Sequence, residues 1–295
     1  MKDRNYYEKL NRFKIAVKKK STNIMQGARK SAAKGSSAEF SDFREYMPGD
    51  DIRRIDWNAY GRTERLFIKE YVEERESSIS ILLDTSASMD YGDPIKSEVA
   101  KEIASALSYI VLSGSDHVRI YDLQRIDKPL SLNGGIRAFP RVGDYLDTCQ
   151  FEGDTDIYMA LRKIKRSGSG VTIIISDFMD ERLVIGENRT SNLEKIFKLL
   201  EYNKQQAVFV HVLDKTEKNP ELMGTHNLID MEDNSSRIRV TMDSKTIDEY
   251  KTGFEDFCKS FERTAKKYHA SYIKVFTNES MDRILFEDLR EIYDI

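Results

Sequence analysis

The sequence predicts an α/β fold with a doubly wound, mainly parallel sheet and a small amino-terminal accessory region. Short apolar runs rich in β-branched residues alternate with segments whose apolar residues recur at helical spacing, as expected of βαβ units. With 295 residues, 40% of them hydrophobic, the chain is long enough to bury a large core. We therefore expect helices on both faces of the sheet, joined to it by right-handed crossovers.

The individual elements follow from this alternation. The first core strand is expected at 79–83, and a helix should run from about Pro94 to Leu112, ending before Gly114. The pattern continues with strand 117–121, helix 157–164, strand 171–175, helix 193–202 and strand 207–213. After an insertion near 215–245, which includes a surface strand at 236–242, we expect a helix at 247–268, a core strand at 272–276 and a closing helix at 281–293. We divide the chain into an accessory region, 1–76, and an α/β domain, 77–295.

A basic leader opens the accessory region. Up to residue 34 it contains eight lysines and three arginines against two acidic residues. Tyr6, Leu10, Phe13 and Val17 recur at the spacing of one helical stripe, which predicts an amphipathic helix. We interpret the stripe as docking on the protein's own domain, with an acidic partner or peripheral membrane contact as alternatives. No nucleic-acid partner is expected, because aromatic residues suited to base stacking are not interleaved with the charges.

Several classes of protein are disfavoured. No run approaches the roughly 18 apolar residues of a membrane helix, and no signal peptide is visible, so we expect a cytoplasmic protein. Cys149 and Cys258 stand alone, which argues against a zinc site or a disulfide framework. The phosphate-loop motif is absent, so any ATP chemistry would have to come from a partner.

Polar oxygen donors follow three of the predicted elements. The first strand runs into Asp84, with Ser86 and Ser88 on the same loop; Thr155 lies in a turn before a helix; and Asp177 follows strand 171–175. Ligands of open α/β sheets collect at the carboxyl ends of the strands. Carboxylates and hydroxyls together suit a hard divalent cation, Mg²⁺ or Mn²⁺. With few charged ligands such a cation keeps waters, one of which a partner protein's carboxylate can replace.

These residues carry a family resemblance. Asp84-x-Ser86-x-Ser88, Thr155 within Gly-Asp-Thr-Asp-Ile, and Asp177 after an apolar strand resemble the metal-ion-dependent adhesion site of von Willebrand factor A-type domains, whose sheet has Rossmann-type layering. The resemblance implies that these five residues bind the cation directly or through water. It also implies that the domain binds proteins rather than catalysing a reaction.

A second resemblance lies upstream. The segment 39–57, which contains Arg44, Pro48-Gly49, Arg53-Arg54 and Trp57, resembles the signature of the bacterial family called domain of unknown function fifty-eight. Members of that family are commonly encoded beside MoxR-type AAA+ ATPases, which implies an adaptor working with such a motor. From the residues alone we expect a compact module whose arginines pair internally with Glu45, Asp50, Asp51 or Asp56.

Two other functions remain open at this stage. An acid at the end of a first strand, such as Asp84, also suits a metal-dependent phosphohydrolase, although Ser86 stands where such an enzyme would need a second acid. The metal could instead only stabilise the loops of a structural scaffold.

Overall fold

The computed structural model describes residues 4–15, 38–50, 52–73, 78–164, 169–183, 192–229, 231 and 237–294. They belong to two compact units, one of residues 1–19 and 77–295 and one of residues 20–76. The first residues of the leader thus belong to the larger unit.

The strands are β1 (Lys14–Ile15), β2 (Ala38–Glu45), β3 (Phe67–Glu73), β4 (Ser78–Leu83), β5 (His117–Asp122), β6 (Leu130–Leu132), β7 (Gly170–Ser176), β8 (Gln205–Leu213), β9 (Gly224–Ile229), β10 (Arg237–Met242), β11 (Ser271–Phe276) and β12 (Tyr293–Asp294). The α-helices are α1 (Arg4–Leu10), α2 (Trp57–Thr63), α3 (Lys96–Ser113), α4 (Pro140–Asp147), α5 (Ile157–Lys163), α6 (Asn192–Tyr202), α7 (Lys215–Lys218), α8 (Ser244–Lys267) and α9 (Met281–Phe286). None of these helices is long and apolar enough to cross a membrane.

The larger unit is built on a six-stranded sheet with the order β6-β5-β4-β7-β8-β11. Neighbouring strands are parallel except β5 and β6, which are antiparallel. This confirms the predicted α/β fold with a mainly parallel sheet. Counted along this sheet alone, the strand order is 3-2-1-4-5-6, which reverses direction between β4 and β7. The carboxyl ends of β4 and β7 therefore flank the crevice in which such sheets bind ligands.

Apolar side chains alternate between the two faces of the sheet. On β4, Ile79, Ile81 and Leu83 pack into one core with α3, α4 and α9, whereas Leu82 belongs to a second core with α5, α6 and α8. Burial on both faces explains why the strands are almost continuously apolar in sequence.

The leader helix is shorter than predicted. It ends at Leu10, and the chain turns and forms β1, which pairs with β12. The apolar side chains nevertheless dock on their own domain: Leu10 is fully buried, Tyr7 lies 4.7 Å from Tyr109 of α3, and Phe13 stacks on Phe286 at 5.2 Å between ring centroids. Tyr6 and Leu10 of the stripe therefore lie in α1, whereas Phe13 lies in the turn between α1 and β1, outside any helix. Val17 and most of the basic leader lie outside the described residues.

The carboxyl-terminal part also differs from the prediction. The closing helix breaks at Glu287, after α9, and continues as a 3-10 turn over Asp288–Ile292. Leu289 and Ile292 are buried by this change of pitch. Within the insertion, the predicted surface strand is β10, but its antiparallel partner β9 has no clear apolar alternation and was not predicted.

The smaller unit contains the antiparallel hairpin of β2 and β3. Arg44 donates two hydrogen bonds to the Asp50 carboxylate, at 2.9 and 3.0 Å, across a turn in which Gly49 has φ +107°. Asp56 caps α2 by accepting hydrogen bonds from two backbone N–H groups. The expected internal ion pairing is confirmed for Arg44, whereas Asp51 and the side chain of Arg54 lie outside the described residues.

A glycine in β7 tests the sheet packing. A Cβ added to Gly170 would lie 2.3 Å from the Ser78 carbonyl oxygen of β4, so Gly170→Ala must move one strand. We expect urea titration to show a loss of about 2–4 kcal/mol in the free energy of unfolding, which is a large effect for an overpacked core. Gly253→Ala, on the exposed surface of α8 with nothing within 4 Å, should instead add about 0.5–1 kcal/mol. Equal effects of the two substitutions would contradict this strand packing.

Candidate metal site

A small cavity of about 10 Å³ lies at the carboxyl ends of β4 and β7, where the strand order reverses. Its lining includes four of the five residues singled out in the sequence: Asp84, Ser86, Thr155 and Asp177. The fifth, Ser88, joins them through its hydroxyl, which lies 3.0 Å from the Ser86 hydroxyl. The fold thus brings together oxygen donors that are up to 93 residues apart in the chain.

Asp84 is held at the end of β4 by three hydrogen bonds. Its backbone N–H donates to the Ile175 carbonyl of β7 at 2.9 Å, which joins the two strand ends. Its carboxylate accepts from the Ser86 backbone N–H at 3.0 Å and from the Ser176 hydroxyl at 2.5 Å. Asp84 is almost completely buried, so these donors replace water.

The Thr155 loop is fastened to the Asp84 loop through the backbone. The Ala87 N–H donates to the Gly153 carbonyl at 2.9 Å, and the Glu152 N–H donates to the Thr85 carbonyl at 3.1 Å. Gly153 has φ +63°, a conformation that glycine adopts without strain. The loop then enters α5, and Thr155 is presented to the cavity from a fixed backbone.

Arg182 fixes the same loop from outside, and sequence analysis missed it. Its guanidinium donates to both carboxylate oxygens of Asp154, at 2.8 and 2.6 Å, to Asp180 at 2.6 Å and to the Thr155 carbonyl at 3.2 Å. A bidentate pair of this kind fixes orientation as well as distance. The acidic cluster of Asp177 and Asp180 just before Arg182 was the one sequence signal that could have indicated this role.

An unusual backbone conformation follows Asp177. Phe178 has φ +51°, which is rare for a bulky residue, and its N–H donates to the Ser176 hydroxyl at 2.9 Å. Its ring is buried against Phe261 and against His211, with centroid distances of 5.0 and 5.5 Å. Burial lowers the pKa of His211 to about 3, so this side chain is neutral at physiological pH. The buried packing of the Phe178 ring thus offsets the backbone strain at Phe178, which orients the loop after Asp177.

The two site carboxylates repel each other. Burial, followed by the nearby charge of Asp177, raises the pKa of Asp84 to about 6, even though the hydroxyls of Ser176 and Ser86 and the Ser86 backbone N–H stabilise its charged form. A nearby cation would stabilise the charged form of a carboxylate in this setting.

A lysine lies beside the pair. The Lys96 side chain is 1% exposed, and its Nζ lies 2.6 Å from Asp177 Oδ2 and 2.5 Å from Glu217 Oε1. Burial alone would lower the pKa of Lys96, but attraction to Asp177 and Glu217 outweighs it and raises the pKa. Sequence analysis missed Lys96 because its partners are 81 and 121 residues away.

The donor set fits a hard divalent cation. Two carboxylates and three hydroxyls are the oxygen ligands that Mg²⁺ and Mn²⁺ accept, and the cavity has room for about one water-sized occupant. The described residues contain no group of three or more His, Cys, Asp or Glu side chains arranged to hold a metal. A cation here would therefore depend on the hydroxyls of Ser86, Ser88 and Thr155 as much as on acidic residues.

A protein-family model matches most of this chain. The family described as "Protein of unknown function DUF58" matches residues 42–257. The chain belongs to the DUF58 family. The match includes β3 and the second half of β2 in the smaller unit, as well as all five candidate ligands.

Individual relatives match a smaller part of the chain. Uncharacterized proteins of Mycobacterium tuberculosis, Rv1480, and of Mycobacterium bovis, Mb1516, are each 29% identical to this DUF58 chain over 111 residues, or 37% of it. The match spans 35% of each relative's length. Among solved structures, the pilus adhesin SpaC from Lactobacillus rhamnosus GG aligns with 47% of this chain and 25% of its own, with a TM-score of 0.33 and 10% identity, which is too distant to carry an argument.

The buried carboxylate gives a pH-dependent prediction. The folded protein holds the Asp84 proton more tightly than the unfolded chain, whose carboxyl titrates near pH 3.9, so stability should fall as pH rises from about 4 to about 6. Asp84→Asn removes the charge, and we expect it to raise the free energy of unfolding in EDTA by about 1–3 kcal/mol at pH 8 and little at pH 4.

Urea unfolding of both proteins at the two pH values measures this effect. The matched control is Asp122→Asn at the end of β5, which loses an ion pair to Arg125 at 2.8 Å and should lower stability at pH 8. No gain for Asp84→Asn at pH 8 would contradict the assigned repulsion between Asp84 and Asp177.

Proposed function

We propose that the larger unit is a von Willebrand factor A-type domain with a metal-ion-dependent adhesion site, and that the protein is a metal-dependent, protein-binding adaptor of the cytoplasm. The observation that carries the proposal is the gathering of Asp84, Ser86, Thr155 and Asp177 around one cavity at the switch point of the sheet. Mg²⁺ or Mn²⁺ would be held there by these residues and Ser88.

The chemistry favours binding over turnover. Most of the donors are hydroxyls, so a cation at this site keeps Lewis acidity and exchangeable waters. A carboxylate from a partner protein then completes the coordination shell. Met179 lines the cavity and is 38% exposed, which offers apolar contact beside the cation.

The partner we propose is a MoxR-type AAA+ ATPase, in assembly, maturation or stress-related complexes. This part of the proposal is supported by membership of the DUF58 family. It also agrees with the lack of a phosphate-loop motif in the sequence, because the energy of ATP hydrolysis would then come from the partner.

Metal binding is tested by thermal unfolding with and without Mg²⁺ or Mn²⁺. A cation that binds only the folded protein should stabilise it by about 2.7 kcal/mol at a hundred times its dissociation constant. We expect this gain to vanish in Asp84→Ala and Thr155→Val, and to persist in Asp147→Ala, which removes an exposed carboxylate of α4. An equal gain in wild type and Asp84→Ala would rule out the assigned site.

Adaptor function is tested by binding to the purified MoxR-type ATPase of the same organism. We expect capture in Mg²⁺, at least a tenfold loss of affinity in EDTA, and a similar loss for Asp84→Ala in Mg²⁺. Stabilisation by metal without any metal-dependent capture would favour the structural scaffold over the adaptor.

A further inference from the structure

Lys96 connects the candidate metal site to a second region of the same unit. It is the first residue of α3, and its buried ammonium bridges Asp177, at the end of β7, and Glu217, in α7. Asp177 is a candidate metal ligand, whereas Glu217 does not line the metal cavity. The ammonium therefore has one partner inside the site and one outside it.

Glu217 in turn organises the end of β8. Its second oxygen, Oε2, accepts a hydrogen bond from the Asp214 backbone N–H at 2.8 Å, while the Asp214 side chain caps α7. Asp214 Oδ2 also accepts from the Thr277 hydroxyl at 3.2 Å and from the Asp93 N–H at 3.3 Å. A continuous polar chain thus runs from Asp177 through Lys96 and Glu217 to the loop before α3 and the end of β11.

This series of polar contacts ends at a surface cleft. The cleft has a volume of about 400 Å³ and is lined by residues 90–93, Ile95 and 214–216. Tyr91, 42% exposed, lies on one wall, and its hydroxyl is 3.1 Å from the Thr216 hydroxyl on the other. A change in the position of α7 would alter the shape of this cleft.

The ammonium and a divalent cation compete for the same carboxylate. Like charges a few ångströms apart in a poorly solvated site repel strongly. Lysine has a flexible four-carbon stem and can change partners without moving the backbone. Glu217 already contacts Lys96 Nζ and is the acceptor to which the ammonium can shift.

We propose that Lys96 is a coupling residue, which holds Asp177 when the metal is absent and shifts towards Glu217 when a divalent cation binds. Occupancy of the metal site is thereby transmitted to α7 and the cleft beside Tyr91. This inference rests on the proposed metal site and adds a regulatory contact to it.

The first measurement is Mn²⁺ affinity by isothermal titration calorimetry on the whole protein. Lys96→Met removes the competing charge and keeps much of the apolar stem, so we expect Mn²⁺ to bind at least tenfold more tightly. Glu217→Gln leaves the displaced ammonium without its anionic acceptor and should bind Mn²⁺ at least threefold more weakly. Lys101→Met, on the same helix with its ammonium 3.5 Å from Glu98, is the matched control and should match wild type within twofold.

The second measurement separates coupling from simple charge repulsion. Hydrogen exchange of amides 214–218 should change on Mn²⁺ addition in wild type and Lys101→Met, but not in Lys96→Met. In the double variant, Glu217→Gln should change Mn²⁺ affinity less than it does alone, because its effect passes through Lys96. If Lys96→Met does not fold, the coupling is still tested by the Mn²⁺ affinity of Glu217→Gln and by the hydrogen exchange of amides 214–218 in wild type.

The outcomes are distinguishable. If wild type binds Mn²⁺, Asp84→Ala does not, and Lys96→Met matches wild type in affinity and in the exchange of 214–218, the coupling is wrong and the metal site stands. If neither wild type nor Lys96→Met binds Mn²⁺, the assignment of the metal site is wrong, and so is the coupling that depends on it.

Discussion

The sheet topology forces two carboxylates together at one strand switch point, and the rest of the site is arranged around that constraint. β4 and β7 are adjacent and parallel, so residues that directly follow them share one edge of the sheet. Asp84 and Asp177 both occupy such positions, and both are buried. Their repulsion opposes folding at neutral pH, and it persists only because the surrounding packing holds both strands in place.

The neighbouring polar groups orient the carboxylates more than they neutralise them. Ser176 and the Ser86 backbone donate to Asp84, while Gln124 donates to the Thr85 carbonyl at 3.0 Å and Arg182 anchors the Thr155 loop. These are hydrogen bonds within and between loops, and they fix the positions of the candidate oxygen donors. Preorganisation of this kind lowers the ordering cost of binding and raises affinity for a ligand that fits.

Sequence predicted the parts of this arrangement that depend on local pattern. The strands β4 and β7 are apolar runs that end in an acid, so both the sheet and the positions of Asp84 and Asp177 were predictable. Lys96 and Glu217 were not, because their pairing depends on how α3 and α7 pack, and a lysine at a helix start is usually solvated. The leader helix was predicted too long for a related reason: Phe13 packs on Phe286 from the turn that follows α1, and helical periodicity does not describe such a contact.

The balance of charge explains why the candidate site suits a divalent cation. Within the cavity lining, Asp84 and Asp177 contribute two negative charges when ionised, and the charge of Lys96 is shared between Asp177 and Glu217, which lies outside the cavity. Two carboxylates match the charge of a single Mg²⁺ or Mn²⁺ better than that of a monovalent cation. A buried ion pair seldom adds stability over apolar packing, so an apolar residue in place of Lys96 would not by itself be costly to the fold if the acids were replaced as well. With the acids in place, removal of the ammonium would leave Asp177 and Glu217 without their positive partner, so the fold depends on Lys96 for as long as both acids are kept.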